Sequence, residues 1–408
     1  MRIRLLLLLA LLMVCLRVVA APKPEPLRAT TKSQWHSDLV FFARELPKRH
    51  ANAFHAVTRE QFAEAVQQLD SRIDTASDDE IVAGFVRLTA LIGDGHTHVS
   101  LPPNWHRLAV AIVPFGDEWR VTRTTPANKA LLGQRATAID GVPIADAVKR
   151  LRALTPQDET DALQRSVAAN FLLVAEILHG ANIAHDPAKV TLTVVKDDGS
   201  ELSEVVAAIP AADQLKQEWL SVTPELPLYR RNPEAGFAQT VLPDGKTVYV
   251  NWRNYDALAA NASKFWQLVD ASKATRVVID LRQNGGGDYT VGRRHMVEAL
   301  AKRPNVKAYV IIGSRTFSAA MVNAIDFRNT AHATLVGEPI GEKPNSYQEN
   351  DEMFLPASRL LVSYSTKLYK FVPDDAPNVV APDKIIAPSW IDFASGRDPV
   401  LDWIVAQN

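Results

Sequence analysis

Three short apolar runs, "KTVYVNW" (246–252), "RVVIDL" (276–281) and "KAYVIIG" (307–313), are separated by two amphipathic stretches, "NASKFWQLVDAS" (261–272) and "VGRRHMVEALAKR" (291–303). Runs with few polar positions suit strands buried on both faces, and the stretches between them are long enough for the helical crossovers that parallel strands require. This alternation predicts an α/β domain built on a mostly parallel sheet, beginning near Pro224. Two of the strands lead into segments whose composition packing does not explain. "VVIDLRQNGGGD" (277–288) runs from a buried strand into three consecutive glycines, and "SRTFSAAM" (314–321) places Ser318 at a helix start with small residues behind it.

Both segments admit two readings. The glycines make a tight turn, or they bring backbone N–H groups close to a ligand as donors for a developing oxyanion. The loop has neither the Gly-Lys-Ser/Thr ending nor the Gly-x-Gly-x-x-Gly spacing of nucleotide-binding loops. Ser318 is a helix N-cap, or it is a nucleophile favoured by the helix dipole with the Ala319 N–H as a donor. It is not in a Gly-x-Ser-x-Gly elbow. A third segment, "LIGDGHTHV" (91–99), clusters Asp94, His96 and His98. A histidine there can serve as general base toward a serine hydroxyl. The cluster could instead bind a metal, but the spacing matches no common zinc pattern and the chain supplies no further His/Cys cluster.

Upstream the pattern changes. "WHSDLVFFARELPKRH", "TREQFAEAVQQLDSRI" and "SDDEIVAGFVRLTALI" carry apolar residues at three- and four-residue spacing, with helix starts at Thr58 and Ser77. With a linker at 22–32 they predict a linker and helical N-terminal domain over 22–100. Residues 101–210 read as a small β-rich module: strands at "LAVAIVPF", "EWRVTRT" and "RATAIDG", a tight turn at Asp140-Gly141, a helix from near Ile144, and a hairpin turning at "DDGS". The α/β region then occupies 211–408.

The first 21 residues place Arg2 and Arg4 before a short apolar stretch that ends in small residues. This is the pattern of a secretory signal peptide, with cleavage after Ala20 or Ala21, and it predicts a periplasmic or secreted protein with no membrane span after cleavage. Cys15, the one cysteine, lies inside it, so no disulfide is expected in the mature chain. A net charge of −1 without a basic stripe argues against a nucleic-acid partner.

Taken together, "GDGHT", "DLRQNGGGD" and "TFSAAM" followed by "LVGEPIGEK" resemble the C-terminal processing (tail-specific) serine peptidases, in particular the histidine-containing branch akin to the tricorn core proteases. "LGQRATAIDGVPI" is similar to the PDZ-like module of that family, and "APDKIIAPSWIDFASGRDPVLDWIV" to its C-terminal end. The resemblance implies a multi-domain α/β fold: the helical domain, a PDZ-like β module and a crotonase/ClpP-like α/β catalytic core. It implies a serine endopeptidase without cofactor or metal, acting on peptides or unfolded protein through an acyl-enzyme. Ser318 would be the nucleophile and His96 the base, with Gly286, Gly285 and Ala319 as oxyanion donors. Lys343, in "GEPIGEK", falls where the Ser/Lys branch carries its base. Glu349, in "PNSYQEN", is the first choice for the carboxylate that orients the base, with other residues of 342–352 also open. A histidine base implies activity that falls as pH drops below about 6–7. Two rival readings remain: a non-catalytic or hydrophobic-ligand-binding member of the same scaffold, and a crotonase-type acyl-thioester enzyme, which a secretory signal disfavours.

Overall fold

The computed structural model describes residues 22–223 and 225–407. The expected signal peptide, with Cys15, lies outside the described residues. Among those described, no helix is long and apolar enough to cross a membrane. The architecture is mixed α/β, with three sheets and helices packed around them.

The expected parallel sheet has six strands in the order Phe237–Val241, Thr247–Trp252, Arg276–Asp280, Lys307–Ile312, Thr334–Gly337 and Lys384–Ile385. The first pair is antiparallel and the rest are parallel. Alternate side chains go to opposite faces, as the two-residue period of a strand requires. Val248, Val250, Val277, Ile279, Val310 and Ile312 pack under helices Leu258–Ala271 and Ala319–Ala331. Tyr249, Val278, Tyr309 and Ile311 face the other way, onto Val400 and Ile404 of the C-terminal helix Pro399–Val405. Full burial of one such aliphatic side chain stabilises by roughly 1.5–3 kcal/mol. A charge at Val278 would therefore break the sheet. The helical stretch after the glycines runs as Tyr289–Gly292, a π turn at Arg293–Val297 and Glu298–Ala301. Inside the wider turn, the His295 carbonyl accepts a hydrogen bond from the Trp266 indole at 2.9 Å.

Helices Lys32–Arg49, Arg59–Asp70 and Asp78–Ile92 each open with a capping box, Thr31 with Gln34, Thr58 with Gln61 and Ser77 with Glu80. The third ends at Gly93, whose φ of 108° lets the chain turn sharply into the His96 segment. In the middle region, Asp140 and Gly141 both have positive φ, and the hairpin Lys189–Val195/Glu201–Pro210 pairs as expected. Helices Asp161–Phe171 and Ala175–Gly180, not anticipated from the sequence, pack within this region.

A long hairpin, Asn345–Phe354 with Leu361–Lys370, was also not anticipated. It joins His98–Ser100 in a three-stranded sheet. Its Met353, Leu355, Leu360 and Val362 enter the same apolar core as Trp35, Phe42, Phe85 and Leu192. The segment just before it, residues 337–343, is thereby carried to the His96 loop.

Candidate active site

Strand Lys307–Ile312 leads into a turn that is tied to the glycine loop. Thr316 Oγ1 donates to the Leu281 carbonyl at 2.8 Å and accepts the Gly313 N–H at 3.1 Å. The Phe317 N–H donates to the Asn284 carbonyl at 3.0 Å. These bonds hold Ser318 at φ 53°, ψ −127°, a region that non-glycine residues rarely occupy and that costs on the order of 1–3 kcal/mol. Ser318 occupies the N-cap position of helix Ala319–Ala331, but its side chain makes no capping bond. Its Oγ lies 3.2 Å from His96 Nε2 instead.

The His96 loop is anchored from behind. Asp94 accepts from the Thr97 N–H at 2.9 Å, Ser365 Oγ at 2.6 Å and His50 Nε2 at 2.9 Å. His50 Nδ1 accepts the Asn52 N–H, which leaves the ring proton on Nε2 for Asp94. Burial pushes the Asp94 carboxyl up, but hydrogen bonds from His50 and Ser365 outweigh it and hold the group below its ordinary value. Asp94 is thus committed to the loop. Among the described residues, no three His, Cys, Asp or Glu side chains converge as a metal site. The Phe317 ring stacks on His96 with centroids 4.7 Å apart.

Glu342 closes the cluster. It is fully buried, accepts the Ser318 N–H through Oε2, and places Oε1 3.4 Å from His96 Nδ1. That separation is within ion-pair range, yet the angles do not make a hydrogen bond, so Nδ1 is buried without a hydrogen-bond partner. Burial, and then the negative charge of Glu159, raise the Glu342 carboxyl well above the carboxylate range. Glu159 is itself buried and pushed up to about 8, chiefly by desolvation. Its two oxygens accept the Gly95 N–H at 3.2 Å and the Lys343 N–H at 3.0 Å, clamping the two loops together. Burial lowers His96 to about 4. This differs from the ordinary histidine value behind the sequence-based pH expectation, because the ring is desolvated.

Two of the residues singled out from the sequence lie elsewhere. Glu349 sits at an irregularity of the hairpin with φ 55°, exposed, accepting the Tyr369 hydroxyl and near Lys367. The carboxylate nearest His96 Nδ1 is that of Glu342, whereas Glu349 is exposed on the hairpin. Lys343 directs its Nζ to Asp158 Oδ1 at 2.8 Å, an ion pair that turns the amine away from Ser318. Glu159, Asn284 and Glu342 are contacts of the cluster missed as individuals; Asn284 and Glu342 fell inside sequence windows already under suspicion, and Glu159 did not.

The glycine loop lies against the serine. Gly286 has φ 105°, and a Cβ built there would sit 2.6 Å from Ser318 Cβ and 3.0 Å from the Ala319 nitrogen. The requirement for glycine is therefore steric as well as conformational. The Gly286 N–H is engaged, donating to Asn284 Oδ1 at 2.9 Å, while Asn284 Nδ2 is fixed to the Trp252 carbonyl. The Ala319 N–H carries no hydrogen bond among the described residues. Gly285 has open space around its Cα, with nothing within 4 Å of an added Cβ.

No family model matches the chain, and no curated protein matches its sequence. Solved structures do match in fold. Over 91% of this chain and 97% of the other, it superposes on mature CPAF complexed with lactacystin with a TM-score of 0.63 at 12% identity. A CPAF with a serine-to-alanine substitution gives a TM-score of 0.62 at the same identity, covering 91% of this chain and 96% of the other. A weaker match, TM-score 0.41 and 13% identity over 88% of this chain and 94% of the other, is to a photosystem II D1 C-terminal processing protease; it is too distant to carry weight. The mixed α/β fold of this chain is similar to that of CPAF along nearly the whole length of both.

Proposed function

We propose that the protein is an exported serine peptidase of the C-terminal processing type, with Ser318 as nucleophile, His96 as general base and Glu342 as the carboxylate that supports the imidazolium. The observation that carries this reading is the 3.2 Å approach of His96 Nε2 to Ser318 Oγ, on a backbone strained to present that oxygen. Ser318 Oγ attacks the peptide carbonyl as its proton passes to His96 Nε2. The carbonyl oxygen becomes an oxyanion facing the free Ala319 N–H and the glycine loop. Collapse of the intermediate expels the amine, which takes the proton from His96 and leaves an acyl-serine. Water, deprotonated by the same ring, then releases the acid. Because the Gly286 N–H is held by Asn284, that donor would have to turn on substrate binding, whereas Ala319 needs no rearrangement.

In this reading the β-rich region with strand Arg135–Ile139 and helix Ile144–Arg152 serves as the PDZ-like module, and the six-stranded domain as the crotonase-like core. Peptide or unfolded protein is the substrate. Export rests on the apolar, arginine-led N-terminus, and N-terminal sequencing of the exported form should begin at Ala21 or Pro22. A fluorophosphonate probe should label the wild type and not Ser318→Ala. An unlabelled wild type that also cleaves no peptide would overturn the reading.

A further inference from the structure

A cleft of about 1010 Å³ opens between strand Val110–Phe115, helix Asp161–Phe171 and the turn that carries Ser314 and Arg315. Its charged side chains do not balance locally. Lys343 is paired with Asp158, and Asp161 with Arg152. Arg165 donates to the Gly116 carbonyl at 2.6 Å, and its charge, with that of Arg282, acts on the half-buried Glu338. Arg107 and Arg315 are left over. Arg107 Nη2 donates to Asn170 Oδ1 at 2.8 Å, and Arg315 Nη1 to Gln283 Oε1 at 3.4 Å; both acceptors are neutral. Neither arginine forms an ion pair among the described residues. They also feel each other: burial first, and then the charge of Arg315, hold the Arg107 guanidinium below its ordinary value.

Two like charges turned into one cleft, one of them partly desolvated, repel until an anion enters between them. Guanidinium is matched in shape to carboxylate and is weakly hydrated, so it is suited to this exchange. Arg315 precedes Ser318 by three residues, which places its backbone within about 11 Å of the serine. We propose that Arg107 and Arg315 form a carboxylate-binding subsite of the substrate cleft, filled by an acidic group of the peptide whose scissile carbonyl lies at Ser318. The proposal rests on the peptidase reading for its substrate, and it deepens that reading by naming the chemistry recognised. A peptide offers that chemistry from an Asp or Glu side chain or from its own C-terminus.

Three fluorescent peptides of one sequence separate these sources: Glu at a varied position with an amidated end, Gln with an amidated end, and Gln with a free C-terminus. Binding is read by anisotropy on full-length Ser318→Ala, and kcat/KM on the wild type. At least one carboxylate-bearing peptide should bind about tenfold or more tightly than the neutral one, and the advantage should shrink with added salt. The arm that carries the advantage identifies the source. Arg315→Gln, at an exposed position, should bring the acidic-to-neutral ratio close to 1, as should Arg107→Gln. If Arg107→Gln lowers the thermal midpoint, Arg315→Gln alone decides. Equal binding of all three peptides, or a ratio that neither substitution changes, overturns the subsite. A wild type that cleaves nothing and takes no fluorophosphonate defeats the peptidase reading instead, while the binding ratios still report on the arginines.

Discussion

Glu342→Gln gives the sharpest test of the site. When Ser318 passes its proton to His96, a buried ring whose pKa is about 4 becomes charged. At pH 7 that charging costs about 4 kcal/mol, at 1.36 kcal/mol per pH unit. An ionised Glu342 whose oxygen lies 3.4 Å away returns about 5 kcal/mol at an effective dielectric of 20. The two terms are of similar size once Glu342 is ionised, which itself costs free energy near neutral pH because burial raises the group; the carboxylate is what makes His96 a usable base. Glutamine keeps the shape and an oxygen acceptor but removes the charge. Labelling rate and kcat/KM should therefore fall by about 10³-fold or more, since 1.36 kcal/mol is tenfold. Stability should not fall with them, because a neutral amide escapes the desolvation that burdens a fully buried carboxylate. The assay is the second-order rate of fluorophosphonate labelling and peptide kcat/KM at pH 8, with the thermal midpoint measured on the same preparation. A folded Glu342→Gln enzyme within tenfold of wild type would refute the reasoning.

Other outcomes follow from the same geometry. Because burial holds Glu342 well above the carboxylate range, kcat/KM should keep climbing with pH beyond that range as Glu342 ionises; a profile that shows no rise above the ordinary carboxylate range would contradict this. Glu159 is raised in the fold, so its contribution to stability is complete below its unfolded value and is lost as pH rises through about 8. His96 is lowered, so its contribution is intact above its unfolded value and is lost as pH falls through about 4. Between pH 6.5 and 8 Glu159 alone should lower stability by about 2 kcal/mol, and the raised Glu342 acts in the same direction. Denaturant melts should show a drop at least this large, and Glu159→Gln should lessen it. Gly286→Ala, with φ 105° and a 2.6 Å clash, should lose both activity and about 1–3 kcal/mol of stability. Gly285→Ala meets no atom within 4 Å and should keep the wild-type midpoint while its methyl slows peptide turnover; unchanged turnover would remove Gly285 from the substrate's path. Glu349→Gln and Lys343→Met should each leave kcat/KM within a few-fold of wild type, since both side chains are engaged away from Ser318; a hundredfold loss in either would reopen the assignment of base and carboxylate.

Features governed by local pattern are legible in the chain alone. The buried runs at 276–281 and 307–313 dictate neighbouring parallel strands, and such strands end on the same edge of the sheet. The glycines after the first and Ser318 after the second must then meet, and Gly286 does press on Ser318. The capping boxes at Thr31, Thr58 and Ser77 are equally local. The choice between Glu342 and Glu349 was not legible in this way. The two carboxylates are seven residues apart in similar polar surroundings. Hairpin pairing decides between them: Gln348 and Asn350 pair with Lys367 and Ser365 in unbroken register, and Glu349 between them, at φ 55°, is exposed. Glu342 is driven inward because the hairpin that follows it must bury Met353, Leu355 and Val362 in the core of the N-terminal helices. The depressed His96 and raised Glu159 have the same origin, since desolvation depends on what the rest of the chain packs against a group. Apolar periodicity leaves its mark on the residues that carry it, whereas the burial of a single carboxylate is decided by segments 184 residues away, as Glu159 meeting Lys343 shows.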